Sequence, residues 1–376
     1  MTDSAPLDYA CAGVDTAAGD RAVDLMKAAV ARTHDATVVG ATGGFAGMVD
    51  ASAFLGMSKP LLATSTDGVG TKIALARALD IHDTIGQDLV GMVVDDITVV
   101  GARPVLMTDY IACGKVIPER IADIVRGIAQ ACEVVKCPLV GGETAEHPGV
   151  MAEDDYDIAG AATGVVDAEN ILGAHRVRPG DVLLGMASSG LHSNGYSLVR
   201  AVLQRVGMSL ESDVPDFGRT LGEELLEPTR LYAVPCLEAI EAVGVSESGL
   251  HALSHVTGGG LAANVSRVLP AGMIGEVNRH TWLVPPVFDW VRRGGAVTWD
   301  ALEDSLNLGV GMVAVVSPVA VDDVARICAA HGIHTWVLGS VYAESGYEGL
   351  SSARVVRGAK GVTAGAVAMR GQYRVG

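Results

Sequence analysis

The chain reads as a two-domain α/β protein, and three observations predict this. Its 376 residues suffice for two domains of ordinary size. Short apolar runs alternate with helical stripes in both halves, and the joints between them are rich in glycine. A polar stretch at 167–180, ending in Arg178-Pro179-Gly180-Asp181, separates the halves. The expected domains are therefore 1–171 and 172–362, with 363–376 a mobile tail.

Each element follows from its pattern. Val23, Met26 and Val30 have helical spacing and predict a helix over 21–31. A glycine-rich loop follows at Gly40–Gly47. A strand near 61–65 leads into Asp67-Gly68, and a helix begins at Thr71 with Ile73, Leu75, Ala76 and Leu79. Over 84–101, Ile85, Leu89, Met92, Val93, Ile97 and Val100 form an apolar stripe that Asp88, Asp95 and Asp96 interrupt. Asp88 and Asp95 share a face. A buried, unpaired carboxylate costs several kcal/mol, so these acids must be solvated, paired or bound to metal.

A strand over 105–112 holds Asp109. Pro118 starts a helix, where its missing N–H is harmless, and Ile121, Ile124, Val125 and Ile128 continue it. Strands at 138–141 and 156–166 complete the first half. In the second, strand 182–187 enters the loop Ser188–Gly195, and a helix follows from Tyr196. A further helix within 222–243 is expected to break near Pro228 and Pro235. Strand 252–257 runs into Gly258-Gly259-Gly260 and a helix. Strands near 310–316 and 335–343 flank a helix at 320–331.

Composition narrows the function. Hydrophobic residues are 49% and aromatic ones 4%, so the cores must be built of Ala, Val, Leu and Ile. A net charge of −17 excludes a nucleic-acid footprint, which is basic. It also repels a phosphate-bearing substrate, a conflict that divalent cations resolve by bridging carboxylates to phosphates. The 6 cysteines include no Cys-x-x-Cys pair and read as buried free thiols. No basic-then-apolar leader and no stretch long enough to cross a bilayer are evident, so a soluble cytoplasmic protein is expected.

The chemistry concentrates in two runs, Asp67-Gly68-Val69-Gly70-Thr71-Lys72 and Gly141-Gly142-Glu143-Thr144-Ala145-Glu146. Each supplies an acid for a metal and bare backbone N–H groups for phosphate oxygens. No Gly-x-x-x-x-Gly-Lys-Ser/Thr run occurs, so this is not a P-loop. Asp67, Asp96 and Glu143 form the candidate magnesium set. Gly43, Gly44, Gly47, Gly68, Gly70, Thr71, Gly141, Gly142 and Thr144 are candidates for the nucleotide, with Lys72 on its phosphates. Ser188, Ser189, His192, Ser193 and Asn194 make a dense donor loop suited to a phosphate-bearing ligand. Thr257, Gly258, Gly259 and Lys115 join it. His192, His255 and Lys72 are the catalytic candidates, either histidine being able to move a proton near neutral pH. The ordinary alternatives are capping by Ser and Asn, a solvated lysine and structural histidines.

Several stretches together resemble the phosphoribosylformylglycinamidine cyclo-ligase (aminoimidazole ribonucleotide synthetase) family. They are Ala12–Asp15, Gly43-Gly44-Phe45, Thr66–Lys72, His82–Gly86, Leu139–Glu146, Tyr156–Gly160, Ser188–Arg200, His255–Gly260 and Gly309–Met312, in order over nearly the whole chain. The resemblance implies ATP-dependent ring closure of formylglycinamidine ribonucleotide to 5-aminoimidazole ribonucleotide in purine biosynthesis, with ADP and phosphate released. It implies Mg2+, help from K+, and a homodimer whose N-terminal sheets join into a barrel, with a C-terminal α/β sandwich. Asp95 departs from the usual asparagine, His147-Pro148-Gly149 from Met-Pro-Gly, and Leu308 from a frequent cysteine, so His147 is not taken as catalytic. A small-molecule kinase or phosphate transferase on the same scaffold, such as a thiamine phosphate kinase, is the second reading. A non-catalytic nucleotide-binding regulator is the third.

Overall fold

The computed structural model describes residues 13–40, 44–358 and 364–375. Gly43, expected at the nucleotide, lies outside the described residues. The chain opens with helix α1 (Thr16–Arg32), whose N-terminus is capped by the Asp15 carboxylate accepting from the Ala18 N–H at 3.0 Å. Strand β1 (Pro60–Gly68), helices α2 (Ile73–Leu79) and α3 (Thr84–Thr98), strand β2 (Arg103–Cys113), helix α4 (Pro118–Val135), and strands β3 (Leu139–Glu146) and β4 (Tyr156–Asp167) complete the first half.

These four strands form one sheet in the order β1-β4-β2-β3. β4 pairs antiparallel with both β1 and β2, and β2 runs parallel to β3. The apolar sides of α3 and α4 bury Leu89, Val93, Ile97, Ile121, Ile124 and Ile128, and α1 packs on α4. Among the described residues no helix covers the opposite face of the sheet: Leu62 is 72% and Tyr110 43% exposed on it.

The second half is a seven-stranded sheet. Its strands are β5 (Val182–Ala187), β6 (Leu250–His255), β7 (Met273–Asn278), β8 (Val310–Val316), β9 (Thr335–Ala343), β10 (Arg354–Arg357) and β11 (Ala366–Arg370), in the order β6-β8-β5-β9-β7-β11-β10. Helices α5 (Tyr196–Val206), α6 (Ala233–Val243), α7 (Gly260–Arg267), α8 (Pro286–Gly295) and α9 (Val321–Ala330) pack around it. β8 is buried at every residue, as a strand covered on both faces must be.

Two expectations are corrected, and one stretch is new. The residues beyond 363 are no loose tail: Ala366, Val367, Ala368 and Met369 are fully buried in β11, parallel to β7 and antiparallel to β10. Their small apolar side chains fit between two layers. Pro235 does not break a helix, because it falls in the first turn of α6, where no intrahelical N–H bond is lost. The segment 270–305, for which the sequence suggested nothing, supplies β7 and α8.

Candidate functional site

The two halves meet where the ends of β1 and α3 face the loops after β5 and β6. The 188–195 loop is drawn onto the first half by side chains whose polar atoms would otherwise be orphaned. Ser193 Oγ donates to the Val69 carbonyl at 2.8 Å, Thr71 Oγ1 lies 3.4 Å from Ser197 Oγ, and Asn194 Nδ2 reaches Met92 Sδ at 3.5 Å. Within the second half, Ser188 Oγ donates to Asn307 Oδ1 at 3.1 Å and Ser189 Oγ to the Pro228 carbonyl at 2.6 Å. A side chain on Gly258 would lie 3.6 Å from Asn194 Oδ1, so the 188–195 and 255–260 loops face each other.

Beneath them sits a titratable cluster. His255, at the end of β6, has Nδ1 2.9 Å from Asp96 Oδ1 of α3. Its Nε2 is buried with no hydrogen-bond partner among the described residues. Burial opposes its protonation, but the hydrogen bond to Asp96 and the negative charges of Asp95, Asp96 and Asp67 outweigh burial and raise its pKa. Asp95, one residue before Asp96, is fully buried and accepts from the Tyr232 N–H at 3.1 Å. Burial pushes it up to about 7. Asp67 faces the same cluster, with its Oδ1 accepting from the Gly68 N–H at 2.7 Å.

Lys72 is corrected as a phosphate ligand, and His192 is enclosed beside it. Lys72 is fully buried, its Nζ donating to Asp88 Oδ1 at 2.9 Å and to the carbonyls of His192 (3.1 Å) and Glu227 (2.7 Å). All three ammonium protons have acceptors, so none is left for a phosphate. The apolar run after Lys72 buries the start of α2 and takes the lysine with it. His192 is equally enclosed, at 1% exposure, with the Ser189 N–H donating to its Nε2 at 3.2 Å. Burial, helped by the nearby His255 and Lys72 charges, holds it neutral, well below the ordinary histidine range. It holds a left-handed conformation (φ 60°), and its Nδ1 is buried with no hydrogen-bond partner among the described residues.

The metal set also divides. Asp67 pairs across the sheet with Gly160, which points at Leu89 of α3. Glu143 pairs with Tyr110 on the bare face. Side chains alternate along a strand, and three strand spacings amount to about 14 Å. Asp67 and Glu143 therefore cannot share an ion within one chain. Among the described residues no group of three or more His, Cys, Asp or Glu side chains could hold a metal. Mg2+ is commonly held by one or two carboxylates plus substrate phosphates.

The nucleotide candidates divide the same way. Gly68, Gly70 and Thr71 lie at the junction of the halves. Gly44, Gly141, Gly142, Glu143 and Thr144 instead line a cavity of about 320 Å3 beside β3, walled by Ala22, Val23 and Met26 of α1. Gly47 packs on the Val140 carbonyl at the edge of this region. Asp109, which the sequence singled out only as an acid inside a strand, lines the cavity too. Burial pushes it up to about 7. A side chain on Gly142 would come within 2.3 Å of Asp109 Oδ1, so glycine there is what admits the carboxylate. The clue was an acid in an apolar strand opposite a double glycine. Lys115 is exposed, 3.8 Å from Glu153, and takes no part in the hydrogen bonds of the 188–195 loop. Thr257 accepts from Asn264 Nδ2 at 3.2 Å through its carbonyl, which fixes the turn of Gly258 and Gly259.

Fold and site together define a two-domain α/β enzyme with acids and hydroxyl loops at the joint between its domains. Residues 48–166 match the N-terminal domain and residues 178–350 the C-terminal domain of AIR synthase related proteins, and the chain belongs to that family. It is 44% identical over 345 residues to a protein of Lachnospira eligens named phosphoribosylformylglycinamidine cyclo-ligase, covering 92% of this chain and 99% of that one. A protein of the same name from Burkholderia pseudomallei is 43% identical over 341 residues, covering 91% and 95%. Among solved structures, thiamine-monophosphate kinase from Stenotrophomonas maltophilia superposes with a TM-score of 0.62 at 18% identity, covering 85% of this chain and 93% of that one. The hydrogenase maturation protein HypE of E. coli gives 0.58 at 20%, covering 85% and 89%. HypE in complex with ATP gives 0.55 at 18%, covering 86% of each. These structures share the fold.

Proposed function

We propose that the chain catalyses ATP-dependent ring closure of formylglycinamidine ribonucleotide to 5-aminoimidazole ribonucleotide, releasing ADP and phosphate, within purine biosynthesis. The observation that carries this reading is the His255–Asp96 pair, set beside Asp67 and under the facing 188–195 and 255–260 loops. Closure requires a poor leaving group to be made good. The formyl oxygen is phosphorylated by ATP, an amine attacks that carbon, and phosphate departs. Asp67 and Asp96 would hold Mg2+, which supplies charge neutralisation for the transferred phosphoryl group, with K+ assisting. His255 would hold or give a proton there. The 188–195 and 255–260 loops orient the ribonucleotide and exclude water.

The split between Asp67 and Glu143 supports a homodimer. A second copy covering the bare sheet face would bury Leu62 and Tyr110 and bring the Glu143 carboxylate of one copy toward the other. The nucleotide would then be held by the cavity beside β3, its phosphates facing the junction residues of the other copy. Among the described residues no helix is long and apolar enough to cross a membrane, in keeping with work in the cytoplasm.

The test is turnover. Purified protein with ATP, Mg2+ and formylglycinamidine ribonucleotide should form the aminoimidazole product with one ADP per ring. A phosphorylated, unclosed product would favour a kinase, and nucleotide binding without turnover a regulator. Mixing inactive Asp67→Asn and Glu143→Gln proteins should restore part of the activity if the site is shared between copies. No restoration would show that each chain works alone.

A further inference from the structure

A second cavity, of about 300 Å3, opens beside the His255–Asp96 pair and runs along α7. Asp96 and His255 line one part of it, and Asn264 and Arg267 of α7 the other. From Gly260 to Arg267 the helix rises by about 10 Å, the length scale of a ribose phosphate with a short substituent. The volume is that of a small-molecule cleft.

On α7 the cavity meets a buried asparagine, Asn264, and an exposed arginine, Arg267. Asn264 is 2% exposed and locked: its Nδ2 donates to the Gly260 carbonyl at 2.8 Å and the Thr257 carbonyl at 3.2 Å. That leaves its Oδ1 to accept from Arg267 Nη1 at 3.3 Å. Arg267 makes no ion pair among the described residues, although this acidic chain pairs many of its arginines with carboxylates. Among the described residues it is also the one Lys or Arg lining the cavity. An oriented guanidinium without a counter-ion suits a planar or tetrahedral oxyanion. His255 lines the same cavity, and its buried Nε2 has no hydrogen-bond partner among the described residues.

We propose that this cavity is the ribonucleotide subsite, with the 5′-phosphate on Arg267 and the reacting end of the substrate at His255 and Asp96. Asn264 is a positioning residue that presents the guanidinium. The proposal rests on the cyclo-ligase reading and deepens it. It assigns the 188–195 loop to the amidine and transferred phosphoryl group rather than to the ribose phosphate.

The experiment compares wild type with Arg267→Met and Arg267→Lys, each checked for an unchanged melting temperature. Arg267→Met should raise KM for the ribonucleotide by more than tenfold, leave KM for ATP within twofold, and change kcat less than KM. Arg267→Lys should recover part of the loss. Calorimetry with ribose 5-phosphate should show binding to wild type that Arg267→Met abolishes, a readout that does not depend on turnover. An unchanged ribonucleotide KM, or a rise in KM for ATP instead, overturns the proposal while the cyclo-ligase reading stands. Wild-type protein that binds ribose 5-phosphate through Arg267 but forms no aminoimidazole product overturns the cyclo-ligase reading and leaves the subsite.

Discussion

Lys72 Nζ lies 2.8 Å from Asp88 Oδ2, with both side chains wholly shielded from solvent. This pair ties the halves of the molecule together. Asp88 Oδ1 also accepts from the Thr229 N–H at 2.9 Å and its hydroxyl at 2.6 Å, while Lys72 holds the carbonyls of His192 and Glu227. Burial pushes the lysine down and the aspartate up, and their mutual attraction opposes both shifts.

Removing one partner leaves a buried charge unanswered, which costs about 3–5 kcal/mol. Lys72→Met should therefore lower the unfolding free energy by that order in urea titration. Lys72→Met with Asp88→Leu should recover part of it. Equal loss in the single and double variants would show that the carbonyl contacts, rather than the ion pair, carry the stability.

Asp67→Asn keeps the shape of the side chain and removes its charge. Magnesium-dependent turnover should fall by more than a hundredfold, about 2.7 kcal/mol of transition-state stabilisation, with the melting temperature unchanged. Unaltered activity would remove Asp67 from the metal set.

Gly142→Ala places a methyl group against the Asp109 carboxylate, where a Cβ would sit 2.3 Å from Oδ1. Relief requires Asp109 to move. Overpacking of this kind costs about 1–3 kcal/mol, and KM for ATP should rise more than KM for the ribonucleotide. Unchanged nucleotide kinetics would place ATP away from this cavity.

His251 is buried with Nδ1 2.7 Å from Asp181 Oδ2 and Nε2 3.0 Å from the Ser246 carbonyl, so both ring nitrogens face acceptors. The hydrogen bond to Asp181 raises its pKa against burial. A raised histidine pKa adds stability that is fully present below the unfolded value of about 6.5 and is lost as pH climbs through the folded value. Wild type should lose more stability than His251→Gln between about pH 5.5 and about pH 8.5. Parallel pH profiles for the two proteins would contradict the assignment.

The sequence by itself determined the alternation of strands and helices, the glycine joints, and which acids and hydroxyls stand at them, because these follow from local periodicity and from residues that only turns or ligands require. It also carried the family, since the motifs keep their order along the chain. Only the tertiary structure decided what each polar group faces. Lys72 and Asp67 stand five residues apart in one motif, yet one is sealed between the halves and the other faces the His255 cluster. Asp67 and Glu143 look equivalent in sequence, but strand order and side-chain alternation put them on opposite faces of a sheet. Burial, pairing and distance depend on contacts between residues far apart in the chain, and no local pattern records them.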